Sequence, residues 1–366
     1  MKKITFILFS ISLLSLLSFS SLAIDISAKY AILIESQSGD IVYAKNSTSK
    51  APMASTTKIM TAIVALENGD LEKTVTIDER SVGVEGSSIY LKAGEKLTLK
   101  ELIYALMLES ANDAATAIAY EIGGSVENFA SMMNETSKKI GAFDTNFTNP
   151  HGLDDDEHYT TAYDLAKIAR YAMQNPVFRE IVSTKTKNIP LDDSSTRLLV
   201  NHNKLLRSYD GAIGIKTGFT KKSGRCLVSC ANVDGVELVC VTLNAPNDWN
   251  DHKKMLNYGF EQYESINLAS KGDYSISLSC VNGSKASVLC TNRDDLSVTL
   301  KKGLKNDIRA VLEADQFLFA PVKKNDHVGR IVYYLGNEEI ASLPIYASEN
   351  VSGIKYKKSI FERIFG

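Results

Sequence analysis

Ala51-Pro52-Met53-Ala54-Ser55-Thr56-Thr57-Lys58-Ile59-Met60-Thr61-Ala62-Ile63-Val64-Ala65-Leu66-Glu67-Asn68-Gly69 is the stretch from which the rest of the chain can be read. From Thr56 the pattern is helical. Ile59, Ile63 and Leu66 recur at i, i+4 and i+7, Met60 and Val64 lie beside them, and Gly69 stops the run. Residues three apart on a helix share a face, so Ser55 and Lys58 are neighbours. A serine hydroxyl is a poor nucleophile until a base takes its proton. A lysine amine is such a base when neutral, and burial or a nearby cation favours the neutral form. The helix N-terminus adds backbone N–H groups suited to an oxyanion. Ser-x-x-Lys alone is weak evidence, because a helix cap followed by a surface lysine reads the same way.

Two further clusters carry chemistry. Ser110-Ala111-Asn112 falls between two predicted helices, Leu99–Glu109 and Ala114–Ile122, where a hydroxyl and an amide can face one cleft. In isolation it also reads as a C-cap followed by an N-cap. Lys216-Thr217-Gly218 lies in a predicted strand. The lysine and threonine offer a cation and a hydroxyl to a carboxylate, and Gly218 leaves room for another backbone. An extended peptide can pair beside such a strand; an edge strand with a solvated lysine is the plain alternative.

Around these clusters the chain reads as strands (Tyr30–Glu35, Ile41–Ala44), then helices (Val126–Ile140 and Ala162–Met173 among them). Strands Ala212–Ile215, Cys226–Ala231 and Val236–Asn244 follow, and a helix closes the run at His252–Tyr263. That order predicts an α+β domain, an antiparallel sheet with helices on both faces, over residues 24–263. Residues 264–347 switch to short, regularly spaced β-rich segments and predict a small all-β domain. The whole chain has 366 residues, 41 Lys+Arg against 43 Asp+Glu, and is 44% hydrophobic. These values argue against wholesale disorder and a multi-span membrane protein, and the charge balance gives no reason to bind nucleic acid.

Ser55-x-x-Lys58, Ser110-x-Asn112 and Lys216-Thr217-Gly218, in this order, resemble the D-alanyl-D-alanine carboxypeptidases, the low-molecular-mass penicillin-binding proteins or S11 serine peptidases. Ala51–Ala54, Asn149–Leu153, Tyr159–Leu165 and Asn201–Leu206 extend the resemblance, which covers about residues 25–263. It implies a β-lactamase/transpeptidase-like catalytic domain. It also implies that Ser55 attacks the carbonyl between the two terminal D-alanines of a peptidoglycan stem pentapeptide. Lys58 takes the Ser55 proton, and Ser110 with the lysines delivers one to the departing D-alanine. Asn112 holds the acylated peptide's amide, and Lys216 and Thr217 hold the terminal carboxylate. The N–H groups of Ser55 and Phe219 form the oxyanion hole, and Gly218 belongs to the substrate-binding strand. β-Lactams acylate the same serine, and no cofactor or metal is needed. Phe219 departs from relatives with His there.

A class A β-lactamase would carry Ser-Asp-Asn in place of Ser110-Ala111-Asn112 and would lack the second domain. A D,D-endopeptidase on the same residues and a non-catalytic peptidoglycan-binding protein are the other readings. The acidic run Asp154–Glu157 between His151 and His158 reads as a solvated loop rather than a metal site.

The ends differ from the body. Lys2 and Lys3 precede an uncharged stretch from Ile4 to Ile24, with Ser21 and Ala23 at −3 and −1 of a cleavage site. Residues 1–23 are therefore expected to be a secretory signal peptide rather than an uncleaved anchor. After a polar linker from 348, Ile354–Gly366 places Ile354, Tyr356, Ile360, Phe361, Ile364 and Phe365 on one half of a helical wheel. The segment has four basic residues and one acidic. It is read as an amphipathic helix lying on the membrane, tethering an exported enzyme to the outer face of the bacterial cytoplasmic membrane. Of the five cysteines, 230 with 240 and 280 with 290 flank predicted hairpin turns and could touch; small buried apolar residues is the preferred reading.

Overall fold

The computed structural model describes residues 24–191 and 195–354. The expected signal peptide and all of the amphipathic tail except Ile354 lie outside the described residues.

The chain opens with strands β1 (Tyr30–Glu35) and β2 (Ile41–Lys45), then enters helix α1 (Lys58–Asn68) through a 3₁₀ turn at Ala54–Thr57. Strands β3 (Thr74–Thr76) and β4 (Lys96–Thr98) form a small ribbon. Helices α2 (Leu99–Leu108), α3 (Asn112–Gly123), α4 (Val126–Ile140), α5 (Ala162–Met173) and α6 (Pro176–Ser183) follow. Side chains set the boundaries of several. Thr98 and Glu101 close a capping box on α2, Ser125 caps α4, Thr161 caps α5, and Asn175 with Pro176 starts α6. A ribbon of β5 (Thr186–Pro190) and β6 (Thr196–Val200) and the short helix α7 (Leu205–Ser208) lead to strands β7 (Ala212–Thr220), β8 (Gly224–Val233) and β9 (Val236–Leu243). Helix α8 (Asp248–Gln262) completes this part.

The main sheet has the order β2-β1-β9-β8-β7, antiparallel throughout. One face carries α1 to α6. The other carries α8, whose Met255 and Leu256 pack on Leu33 and Leu238. Covering on both faces explains why β8 and β9 read as near-continuous apolar runs rather than alternating ones. Helix α1 is buried from Lys58 to Ala65 and forms the centre of the helical layer.

Helix α8 passes directly into β10 (Tyr263–Ala269). Tyr263 packs in the core beneath α8 and Ala269 in a separate core, so this strand spans two packing units. Beyond it come β11 (Ile276–Val281), β12 (Ser287–Asn292), β13 (Leu296–Lys301), β14 (Ile308–Ala314), β15 (Phe317–Phe319), β16 (His327–Leu335) and β17 (Glu338–Ala347). Six of these form a sheet of order β14-β16-β17-β12-β11-β15, and β10 pairs with β13. The expected all-β segment is thus present.

All five cysteines are buried and free. Cys230 opposes Val239 and Cys240 opposes Ser229, so the two thiols point to opposite faces of the sheet and cannot meet. Cys290 opposes Ile276, four residues from Cys280. Untreated native protein should therefore react slowly with a thiol reagent, titrate five thiols on unfolding, and keep its Tm in the presence of a reductant. A Tm lowered by reductant would show a bridge absent from this fold.

Candidate active site

The 3₁₀ turn delivers Ser55. Ala54 stands at φ +49°, and the Thr56 and Thr57 hydroxyls donate back to the carbonyls of Met53 (2.6 Å) and Ala54 (2.8 Å). These bonds hold the turn just before α1, and Lys58 begins the helix with its side chain inside. The residue is 0% exposed. Lys58 Nζ lies 3.0 Å from Ser55 Oγ, 2.6 Å from Asn112 Oδ1 and 2.6 Å from the His151 carbonyl oxygen. All three partners are neutral oxygens. Burial, then the neighbouring Lys216, push the Lys58 pKa well below that of an ordinary lysine, against an opposing pull from Asp113. Asp113 is itself occupied by the Ser88 hydroxyl (2.6 Å) and the Leu91 N–H (3.0 Å). In the neutral form Lys58 has two N–H groups and one lone pair. Asn112 and the His151 carbonyl accept the two N–H bonds, which leaves the lone pair for the Ser55 hydroxyl.

Each neighbour is fixed by backbone. Asn112 opens α3, and its Nδ2 donates to the Glu85 carbonyl (2.5 Å). Ser110, in the tight α2–α3 connection, stands at φ +60°. The His151 carbonyl is presented by a loop in which Asn149 Oδ1 accepts from the Gly152 N–H at 2.7 Å. Gly152 stands at φ +88°, and a Cβ there would strike the Ala54 carbonyl and reach 2.8 Å from Thr57 Oγ1. His158 braces the same turn through Thr57 Oγ1 at 2.8 Å, and burial holds the ring neutral, its pKa lowered to about 4.

Strand β7, the sheet edge, supplies the opposite wall. Lys216 is buried, bonds the Thr217 carbonyl at 3.0 Å, and is lowered by burial to about 7. A Cβ on Gly218 would meet the Ser55 nitrogen at 3.0 Å, so the glycine is what lets the strand lie against the nucleophile. Phe219 is 65% exposed at the mouth. The open cleft between these walls, about 350 Å³, is lined by Ser55, Ser110, Thr217, Gly218 and Phe219. Lys58, Asn112 and Lys216 are buried beside it.

All the residues singled out in the sequence therefore gather in one place. Asn112, expected to hold the peptide amide, is turned inward and holds Lys58 and the loop at Glu85. The sequence reading did not single out the roles of the His151 carbonyl, Ser87 or the wall of Arg225, Asp248 and Trp249, where Arg225 Nε bonds Asp248 at 3.0 Å. A backbone carbonyl leaves no residue signature, and the other groups have no fixed spacing from the motifs. Asp154 and Asp156 face Thr220 and Lys222 as a solvated loop.

A half-buried serine beside a buried lysine at a helix start, against a glycine-containing edge strand, is a candidate serine-hydrolase centre on a transpeptidase-like α+β fold. Residues 18–247 match the D-alanyl-D-alanine carboxypeptidase family model, and residues 263–352 match the penicillin-binding protein 5 C-terminal domain. The chain is 32% identical to the D-alanyl-D-alanine carboxypeptidase DacF of Bacillus subtilis, over 88% of this chain and 86% of that one. It is 32% identical to DacA of Haemophilus influenzae, over 96% and 94%. Among solved structures, penicillin-binding protein 5 of H. influenzae matches with a TM-score of 0.66 at 30% identity, covering 90% of this chain and 98% of that one. DacD of Francisella tularensis matches with a TM-score of 0.63 at 31%, covering 90% and 95%. The chain belongs to the S11 family of D-alanyl-D-alanine carboxypeptidases, which are serine hydrolases.

The Gly152 contact gives a paired test. Gly141 stands at a similar φ of +83° but has nothing within 4 Å of its Cβ position. Gly152→Ala should slow acylation by a fluorescent penicillin by roughly 10²-fold, through displacement of the Lys58 carbonyl acceptor and the turn. Gly141→Ala should lower stability by about 1–2 kcal/mol and leave acylation intact.

Proposed function

We propose that the chain removes the terminal D-alanine from peptidoglycan stem peptides through an acyl-enzyme on Ser55, and that β-lactams trap the same serine. The observation that carries this reading is the neutral-favouring burial of Lys58 Nζ 3.0 Å from Ser55 Oγ. Lys58 accepts the Ser55 proton as Oγ adds to the D-alanyl carbonyl. The N–H groups of Ser55 and Phe219 receive the developing oxyanion. Lys216 and Thr217 hold the terminal carboxylate, whose charge favours the protonated state of Lys216. As the tetrahedral intermediate collapses, the leaving D-alanine amine takes a proton relayed by Ser110 and the lysines. Water then attacks the ester, with Lys58 again taking the proton. Asn112 acts from beneath by orienting Lys58.

The catalytic unit is proposed to span 24–263, the second domain 264–347, with a removed leader at 1–23 and a tail at 348–366 that lies on the membrane and keeps the exported enzyme beside the cell wall. No described helix is long and apolar enough to cross a membrane. Cutting D,D cross-links, the endopeptidase reaction, would use the same centre.

D-Alanine release from diacetyl-Lys-D-Ala-D-Ala should fall by about 10³-fold or more in Ser55→Ala, with loss of covalent penicillin labelling. Equal activity in both proteins would overturn the assignment. Nitrocefin should be consumed slowly; rapid multiple turnover would point to a β-lactamase. Acylation should also show a displaced pH profile. The neutral amine is the reactive form, and Lys58 is lowered on folding. The rate should therefore fall about tenfold per unit only below that lowered pKa and level off above it. An ordinary lysine would keep the rate climbing to about pH 10.4, and a climb of that kind would contradict the arrangement. If the leader is cleaved, N-terminal sequencing finds Ile24.

A further inference from the structure

The sheet of the second domain is covered on one face only at its β12-β11-β15 end. Leu278, Cys280, Val288 and Cys290 point into the core. The alternate residues of the same strands point outward, and there Val281, Leu289, Phe317 and Phe319 are exposed. Phe317 sits opposite Ser279 and Phe319 opposite Val281, which puts both on this outer face. Their rings meet edge to face at 5.4 Å, and they are 45% and 66% exposed. A paired, exposed phenylalanine edge marks an interaction surface rather than ordinary scatter.

The chain itself indicates what covers it. The Ile354 N–H donates to the Asn282 carbonyl at 2.8 Å, so the basic amphipathic tail departs one residue along from Val281. Ile354, the first apolar residue of that tail, is 57% exposed. Lys323 and Lys324 are exposed just past Val322, the residue that bridges to Val351. The tail adds Lys355, Lys357, Lys358 and Arg363 against Glu362. Exposed phenylalanines beside the exit of a basic amphipathic tail match an anionic lipid interface. A second copy would instead bring two basic tails together.

We infer that the outer β12-β11-β15 face, through Phe317 and Phe319, enters the lipid interface together with the tail and fixes the second domain flat against the membrane. This rests on the tail reading above, and the test separates the two. Full-length mature protein is mixed with phosphatidylglycerol/phosphatidylcholine vesicles. Phe317→Ser/Phe319→Ser should weaken vesicle partitioning at least fivefold while D-alanine release from a soluble peptide is unchanged. In a Trp249→Phe background, the indole introduced by Phe319→Trp should be quenched by brominated acyl chains. Unchanged partitioning or an unquenched indole overturns the proposal. An indole emission that shifts on deletion of residues 355–366 without lipid makes the tail the occupant, and a dimer lost in the double serine variant makes it a second copy; either overturns it. If the tail deletion leaves both partitioning and quenching intact, the tail reading fails and the face stands.

Discussion

The site depends on keeping an amine in the interior without a carboxylate to neutralise it. An ammonium ion transferred from water loses several kcal/mol of hydration that neutral oxygens only partly return. Lys58 therefore prefers the uncharged state, and a second buried cation, Lys216, strengthens that preference. An acid at hydrogen-bond distance would stabilise the fold locally and remove the base. Asp113, the nearest acidic influence, is instead engaged by hydroxyl and backbone donors. The apolar packing of α1 excludes water, and this makes the hydrogen-bonding pattern around Nζ effective.

That requirement explains features scattered far apart in the chain. The amine needs two acceptors that cannot themselves ionise, and the fold provides an amide from the start of α3 and a carbonyl from the 149–153 loop. The loop must come into van der Waals contact with the turn holding Ser55, which only a glycine at 152 permits. The edge strand must come equally close from the other side, which Gly218 permits. The turn is thus held from both sides by backbone, and the positive φ of Ala54 persists within it. Ser55 lies between the two and faces the open cleft.

Much of this is legible in the sequence because the chemistry uses side chains at fixed spacing. Ser55, Lys58, Ser110 and Lys216-Thr217-Gly218 stand out by residue type and order alone. Helices α4 and α5 are legible to their end residues, since Ser125 and Thr161 are strong caps before clear 3.6-residue patterns. Other elements carry no such signal. Strands β5 and β6 are largely exposed and carry Lys, Asn and Arg, so they lack alternation. Helix α6 is only two turns long. The apolar pattern starts α1 two residues early, because Ser55–Thr57 have helical neighbours but close as a 3₁₀ turn. The inward role of Asn112 is hidden because an amide serves a substrate or a lysine equally well, and only its tie to the Glu85 carbonyl decides its direction.

The two sheets differ in a way that follows from what each supports. The inner strands of the main sheet, β1, β9 and β8, are buried on both faces and so read as apolar runs, while its edge at β7 is where a peptide can add. The second sheet has alternating strands, and its outer face meets solvent. In most of β11 the alternation is serine outside (Ser277, Ser279) and leucine or cysteine inside, with Val281 at its end the exception. Phe317 and Phe319 break that rule on a three-residue edge strand, where neither ring helps to fill the core. Natural edges usually avoid such exposure, because it invites association. Keeping it at the point where a cationic tail departs is consistent with a surface shaped by what it touches outside the molecule.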